Sequence, residues 1–288
     1  MAGFATHKTM NSLSLKQCLR CATNAARAAG ALMRSNLRSA KKVNAATSHD
    51  IKLELDVRCQ RTIERVLRRA FPEASILGEE GVAGKADAQY RWVVDPIDGT
   101  VNFAYGIPHA CVSIALQTRN TEHGTRNKST TRVTRHASRT TDYVTLLGVV
   151  YDPFLDEMWT AIRGGPARLN GRVIRVSRRR NIADAVLSTG FAKSRATLER
   201  GLPYFNRLAR RARKIRIMGA AALALTYVAS GRFDAYVERD IRLWDIAAGG
   251  LIVECAGGEF WYEPTAPNHT YCMIATNGLI THQLPKLV

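Results

Sequence analysis

Apolar positions recur along the first 70 residues with the spacing of two amphipathic helices. Leu15, Leu19, Ala22, Ala26, Ala29 and Met33 share one face of a segment from Leu13 to Leu37. Leu55, Cys59, Ile63, Val66, Leu67 and Ala70 do the same from Leu53 to Ala70, and the chain stops before Pro72. The period then shortens. Ser75 to Leu77 and Arg91 to Val94 are β-rich runs, and Cys111 to Gln117 and Thr145 to Tyr151 read as strands of one sheet. Met158 to Ile162, then Arg172 to Val176 after a Leu-Asn-Gly turn, complete a strand-rich first half. From Asn181 the elements alternate. A strand at Ala185 to Thr189 precedes a basic helix at Thr197 to Ala212, a strand at Lys214 to Met218 and an alanine-rich helix at Ala220 to Ser230. A strand at Ala235 to Val237 and a helix at Asp245 to Ala256 follow. This pattern predicts an α+β subdomain over 13–180, an α/β subdomain over 181–288 and a disordered tail over 1–12.

Between two of the strands, Thr118 to Asp142 is polar, basic and rich in Ser, Thr and Arg. A structureless loop of that length inside a domain is unusual, and residues 118–142 are read as a disordered insertion. The longest uncharged apolar stretch, Ile217 to Ser230, is too short to span a bilayer.

Composition changes the picture in three ways. A chain of 288 residues with 46% apolar content is globular. Six scattered cysteines imply reduced thiols in a cytosol-like compartment, and the isolated Cys18-Cys21 pair reads as buried helix cysteines. The first 49 residues hold no acid and are rich in Arg, Ser and Ala, which also suits an organellar transit peptide; the helical spacing favours a structural helix and a cytoplasmic protein. The net charge of +18 gathers in Arg119 to Arg139, Arg163 to Arg180 and Arg207 to Arg216. Such runs are solvated faces or attract anions such as phosphorylated substrates and nucleic acid.

The chemistry centres on Asp95 to Phe103, reading DPIDGTVNF. Trp92-Val93-Val94 is a buried strand, and Asp95 ends it where α/β sites commonly lie. Pro96 turns the chain, presenting Asp95 and Asp98 together with the Ile97 carbonyl between them. Two carboxylates and a carbonyl are hard oxygen donors suited to Mg²⁺. Gly99 lets backbone approach a ligand, and a helix opening at Thr100 would aim free N–H groups at an anion. An ordinary turn is the competing reading of a bare DPxD. Glu79 and Glu80 follow a short strand and flexible Gly78, as exposed loop acids do. Asp245, ahead of an apolar helix, reads on its own as a helix N-cap, and Asp56 sits among apolar neighbours where an unpaired carboxylate is costly.

Taken in order, GEE (78–80), DPIDGTVNF (95–103), LNG (169–171) and WDIAAG (244–249) resemble the inositol monophosphatase family of lithium-sensitive, magnesium-dependent phosphatases. The resemblance runs from the first helix to Ala256–Glu259. It implies a layered α-β-α-β-α sugar-phosphatase fold of two subdomains with the site in the cleft between them. It further implies that Glu79, Asp95, the Ile97 carbonyl, Asp98 and Asp245 hold two or three Mg²⁺ ions, with Glu80 adding negative charge nearby. Asp56 and Thr100 match the pair that orients and deprotonates water, assisted by Glu79. The Gly99 and Thr100 amides match the phosphate cradle, and Asp98, Gly219, Ala220, Ala221, Glu238 and Asp245 face the substrate. A homodimer and lithium inhibition are implied likewise.

Three departures stand out. The insertion is longer than the family's hairpin, Asp50 to Glu54 stands where many members carry Val-Thr, and Ala220 replaces a hydroxyl residue. Asn102-Phe103 resembles the inositol branch, so myo-inositol monophosphate is the expected substrate. Fructose 1,6-bisphosphate, alone or as a second activity, and histidinol phosphate are the alternatives. A regulatory protein working with RNA or the transcription machinery on the same fold is the rival from another class.

Overall fold

The computed structural model describes residues 12–46, 51–120, 143–191 and 195–285. Helix α1 (Ser12–Asn36) buries Cys18, Ala22, Ala25, Ala26, Ala29 and Met33. Its mostly small side chains let it lie close along a second helix. Between the two, β1 (Val43–Ala46) and β2 (Ile51–Leu53) form a short antiparallel pair. Helix α2 (Glu54–Ala70) then turns Leu55, Cys59, Ile63 and Leu67 inward. The Cys21 thiol donates to the Val66 carbonyl across this helix pair, and none of the six cysteines is in a disulfide.

The helix pair covers one face of an eight-stranded sheet. Its strands are β3 (Ser75–Gly78), β4 (Gly81–Ala83), β5 (Tyr90–Asp98), β6 (Cys111–Arg119), β7 (Tyr143–Asp152), β8 (Glu157–Ile162), β9 (Arg168–Leu169) and β10 (Arg172–Val173). The order is β10-β9-β8-β7-β6-β5-β3-β4, antiparallel throughout except for the parallel pair β3 and β5. A short helix, α3 (Thr100–Ala104), follows β5.

A second sheet has five strands in the order β12-β11-β13-β15-β14. These are β11 (Val186–Thr189), β12 (Lys214–Arg216), β13 (Ala235–Arg242), β14 (Glu259–Ala266) and β15 (Thr270–Thr276). Helix α4 (Arg195–Ala209) covers its outer face, where Tyr204 and Leu208 join Leu187, Ala235 and Val237. Helices α5 (Ala221–Ala229) and α6 (Leu243–Cys255) are apolar nearly all round, the pattern of helices buried on every side. They lie between the two sheets, with α6 touching β5, β6, β7 and β8 on one side and β13, β14 and β15 on the other. The result is a layered α-β-α-β-α fold. Among the described residues no helix is long and apolar enough to cross a membrane.

Several expected boundaries shift. The basic helix expected at Thr197 to Ala212 runs from Arg195 to Ala209 with Pro203 inside it. The strand expected at Arg172 to Val176 ends at Val173, and the one at Lys214 to Met218 ends at Arg216. The strand expected to end at Val237 continues to Arg242, because β15 pairs along it past an irregularity at Glu238. The strands β14 and β15 were not foreseen at all. β14 is an edge strand with exposed positions and an internal proline, so it lacks the alternation that marks a half-buried strand. Of the expected insertion at 118–142, Thr118 and Arg119 belong to β6, paired with Val144 and Tyr143; positions 121–142 lie outside the described residues, as does the tail over 1–11.

Candidate metal and phosphate site

The site grows from the carboxyl end of β5. Pro96 has no N–H for the ladder, and between Asp95, opposite Ser113, and Asp98, opposite Cys111, β5 carries one extra residue. The Ile97 amide donates to Asp95 Oδ1 at 3.0 Å, closing the turn on the side chain itself. This bulge turns Asp95 and Asp98 to the same cavity. Next to them, the parallel register sets Gly78 opposite Val94, and the Glu79 amide donates to the Val94 carbonyl at 3.1 Å. Glu79 therefore leaves β3 beside Asp95.

Gly99 then takes φ 91°, a left-handed conformation that L side chains adopt at a cost, and a Cβ there would lie 2.9 Å from the His109 carbonyl. It starts α3, whose first residue, Thr100, donates its hydroxyl to the Ile97 carbonyl at 2.9 Å. Asn102 fastens this corner to the other half of the molecule. Its Nδ2 donates to the carbonyls of His109 at 2.9 Å and Met218 at 2.8 Å.

Asp245 arrives from α6. It is the third residue of that helix and not its N-cap, which is Arg242; its Oδ2 accepts the Arg242 amide at 3.0 Å, so it reaches back to the helix start while bordering the cavity. The buried Ser113 hydroxyl donates to the Trp244 carbonyl at 3.0 Å, tying the start of α6 to the strand that pairs with Asp95. Carboxylate oxygens of Asp95, Asp98 and Asp245 lie within 4.8 Å of one another.

These groups line a cleft of about 300 Å³. Glu79, Asp95, Ile97, Asp98, Gly99, Thr100, Gly219, Ala220, Ala221, Glu238 and Asp245 all border it. Asp56 and Glu80 do not. Asp56 is buried in the first turn of α2, with Oδ2 accepting the Leu53 amide at 2.7 Å, and the Glu80 amide donates to Gln60 Oε1 at 2.9 Å. Val101, Phe191, Ile217, Met218 and Tyr236 also border the cleft and were not anticipated. They are apolar or aromatic residues that read as ordinary core in the sequence.

Five carboxylates thus face one small space, and among the described residues no lysine or arginine lines it. Burial lifts the Asp95 carboxyl well above the usual carboxylate range, and the charges of Glu79, Asp98 and Asp245 lift it further. Burial likewise raises Asp98 to about 6, opposed by hydrogen bonds from the Ala222 and Ala221 amides and the Cys111 thiol. A bare cluster of this kind repels any phosphate. Hard oxygen donors crowded without a cation fit divalent magnesium, which would relieve the repulsion and attract the anion together.

The chain matches the model of the inositol monophosphatase family over residues 14–123 and 140–281. It is 38% identical over 253 residues to the Nus factor SuhB of Pseudomonas aeruginosa, covering 85% of this chain and 84% of that protein. It is 39% identical over 207 residues to an inositol-1-monophosphatase of Rhizobium meliloti, covering 71% and 69% of the two. Among solved structures, an IMPase of Thermotoga maritima superposes with a TM-score of 0.76 at 32% identity, over 94% of this chain and 96% of that one. The conjunction of fold, carboxylate cleft and these matches identifies the chain as a member of the inositol monophosphatase family, a family of phosphatases.

Proposed function

We propose that the protein is a Mg²⁺-dependent phosphomonoesterase that hydrolyses myo-inositol monophosphate to inositol and phosphate. The observation that carries this reading is the cleft with five carboxylates and no basic residue among its described lining. Such a surface can receive a phosphate ester only together with metal ions.

Glu79, Asp95, the Ile97 carbonyl, Asp98 and Asp245 are the proposed ligands. Bound there, Mg²⁺ supplies charge neutralisation and increased acidity of water. The protein's own part is positional. The Gly99 and Thr100 amides cradle the phosphate, while Thr100 and Glu79 orient the attacking water and take up its proton; Asp56, which does not border the cleft, would support that step from behind it. On the leaving side, the Gly219-Ala220-Ala221 backbone and the Glu238 carboxylate face the alcohol, with Asp98 and Asp245 completing the substrate contacts. No side chain need act as a nucleophile.

The same reading includes a homodimer, inhibition by lithium, a cytoplasmic location and a boundary between two subdomains near Asn181. Fructose 1,6-bisphosphate and histidinol phosphate are the alternative substrates. A second reading, association with RNA or the transcription machinery, draws on the relatives named Nus factor SuhB and on the net charge of +18.

A phosphate-release panel with Mg²⁺ tests the proposal, using inositol 1-phosphate, fructose 1,6-bisphosphate, histidinol phosphate and 3′-phosphoadenosine 5′-phosphate. Preferred turnover of the inositol ester is expected. Turnover of the bisphosphorylated nucleotide alone would reject it, and salt-sensitive RNA binding without phosphatase activity would promote the second reading.

A further inference from the structure

Tyr236 and Glu238 stand two residues apart on β13, so the period of the strand sets both on the same face, toward the cleft. Tyr236 is 2% exposed, and its hydroxyl donates to Glu238 Oε2. Val237, between them, points the other way into the core under α4. Gly190 also lies against this carboxylate, just past β11, which runs parallel to β13 with Thr189 opposite Val237. A methyl group at Gly190 would overlap the Glu238 carboxylate. Glu238 is therefore held by a hydrogen-bond donor and lies against a bare stretch of backbone.

We infer that Tyr236 is a positioning residue for substrate selection, holding the Glu238 carboxylate in the orientation that accepts hydroxyl groups of a polyol phosphate. The inference rests on the proposed phosphomonoesterase reading and on Glu238 facing the alcohol half of the substrate. A glutamate on a strand has several side-chain rotamers. A fixed donor on one oxygen removes most of them before substrate arrives, so less ordering remains to be done on binding. The buried phenol suits this task because it keeps its proton: burial, aided by the Glu238 charge, lifts its ionisation well above the ordinary range. The gain is confined to substrates whose leaving group carries hydroxyls. A phosphate ester without them uses the metal and phosphate half of the cleft alone.

The test compares inositol 1-phosphate with p-nitrophenyl phosphate, at saturating Mg²⁺, for the full-length wild type, Tyr236→Phe, Glu238→Gln and the double variant. Losing one hydrogen bond to a charged acceptor should lower the polyol-to-aryl ratio of kcat/KM by roughly threefold to tenfold, mainly through KM for the polyol ester. In the Glu238→Gln background, Tyr236→Phe should change that ratio no further. Equal losses on both esters, or an additive effect in the double variant, would overturn the inference while leaving the proposed function standing. Wild-type protein that cleaves neither ester would overturn the proposed function and this inference with it.

Discussion

Asp98 Oδ2 accepts the Ala222 amide hydrogen at 2.7 Å, so a carboxylate at the end of β5 closes the first turn of α5. Its other oxygen takes the Ala221 amide at 3.1 Å. Asp98 therefore joins the two sheets' territory while also facing the carboxylate cluster. The two tasks are separable by substitution. Asp98→Asn keeps an acceptor for one amide and discards a buried charge, whereas Asp98→Ala strands both amides. The alanine variant should be less stable than the asparagine variant by about 1–2 kcal/mol in urea denaturation with EDTA present. Equal midpoints would mean that the cap contributes nothing.

Asp95 offers the opposite test. Burial and three neighbouring carboxylates already disfavour its charge. Asp95→Asn should cut Mg²⁺-dependent turnover at least about a hundredfold, while the metal-free protein melts no lower than wild type. A variant that keeps full phosphate release would remove Asp95 from the metal site.

The pH dependence has a definite sign. Asp98 titrates at about 6 in the folded protein, above the ordinary carboxylate value of 3.8. A raised acid pKa means that the folded state favours the proton. Its stabilising contribution is complete below about pH 4 and is lost as pH climbs through about 6. Mg²⁺ competes with that proton. Millimolar Mg²⁺ should therefore raise the melting temperature more at about pH 8 than at about pH 5, relative to EDTA. An equal shift at both values would place the ion elsewhere.

Gly99 carries two penalties for a side chain, its φ of 91° and the His109 carbonyl 2.9 Å from the added Cβ. Gly164 carries only the first, with φ 83° and nothing within 4 Å. Gly164→Ala should cost about 1–2 kcal/mol, and Gly99→Ala should cost more and also depress kcat/KM. Denaturation midpoints and initial rates of both variants decide the point; Gly99→Ala with normal kinetics would argue against the phosphate corner.

Much of this site was legible in the sequence because its chemistry is local. Asp95, Pro96, Asp98 and Gly99 follow a buried run directly; residue type and spacing allow a metal-binding turn or an ordinary one, and the family resemblance favours the first. Glu79 reads on its own as an exposed loop acid and is named a ligand only through the resemblance; its closeness to Asp95 depends on parallel pairing of β3 with β5, which no local pattern encodes. Ser113 works through the backbone carbonyl of distant Trp244 and leaves no motif; Asn102 lies inside DPIDGTVNF, but nothing local signals its bond to the Met218 carbonyl. Tyr236 looked like any buried strand aromatic. Its partner is two residues away, yet Glu238 is named through the family resemblance and not by the strand face it shares. The strands β14 and β15 escaped for a different reason. β14 is an exposed edge, and β15 is a continuous apolar run of the kind that period alone cannot assign.

The carboxylate cluster is assembled from residues that leave the ribosome far apart in time. Glu79, Asp95 and Asp98 belong to the larger sheet, but Asp245 and the α5 turn that engages Asp98 come from the last third of the chain. A nascent chain ending near Asn181 holds three of the acids and cannot complete the cluster. The carboxylate cluster is complete only once α6 lies between the two sheets. A chain truncated before α6 lacks Asp245 and therefore the complete cluster, however well its first sheet has formed.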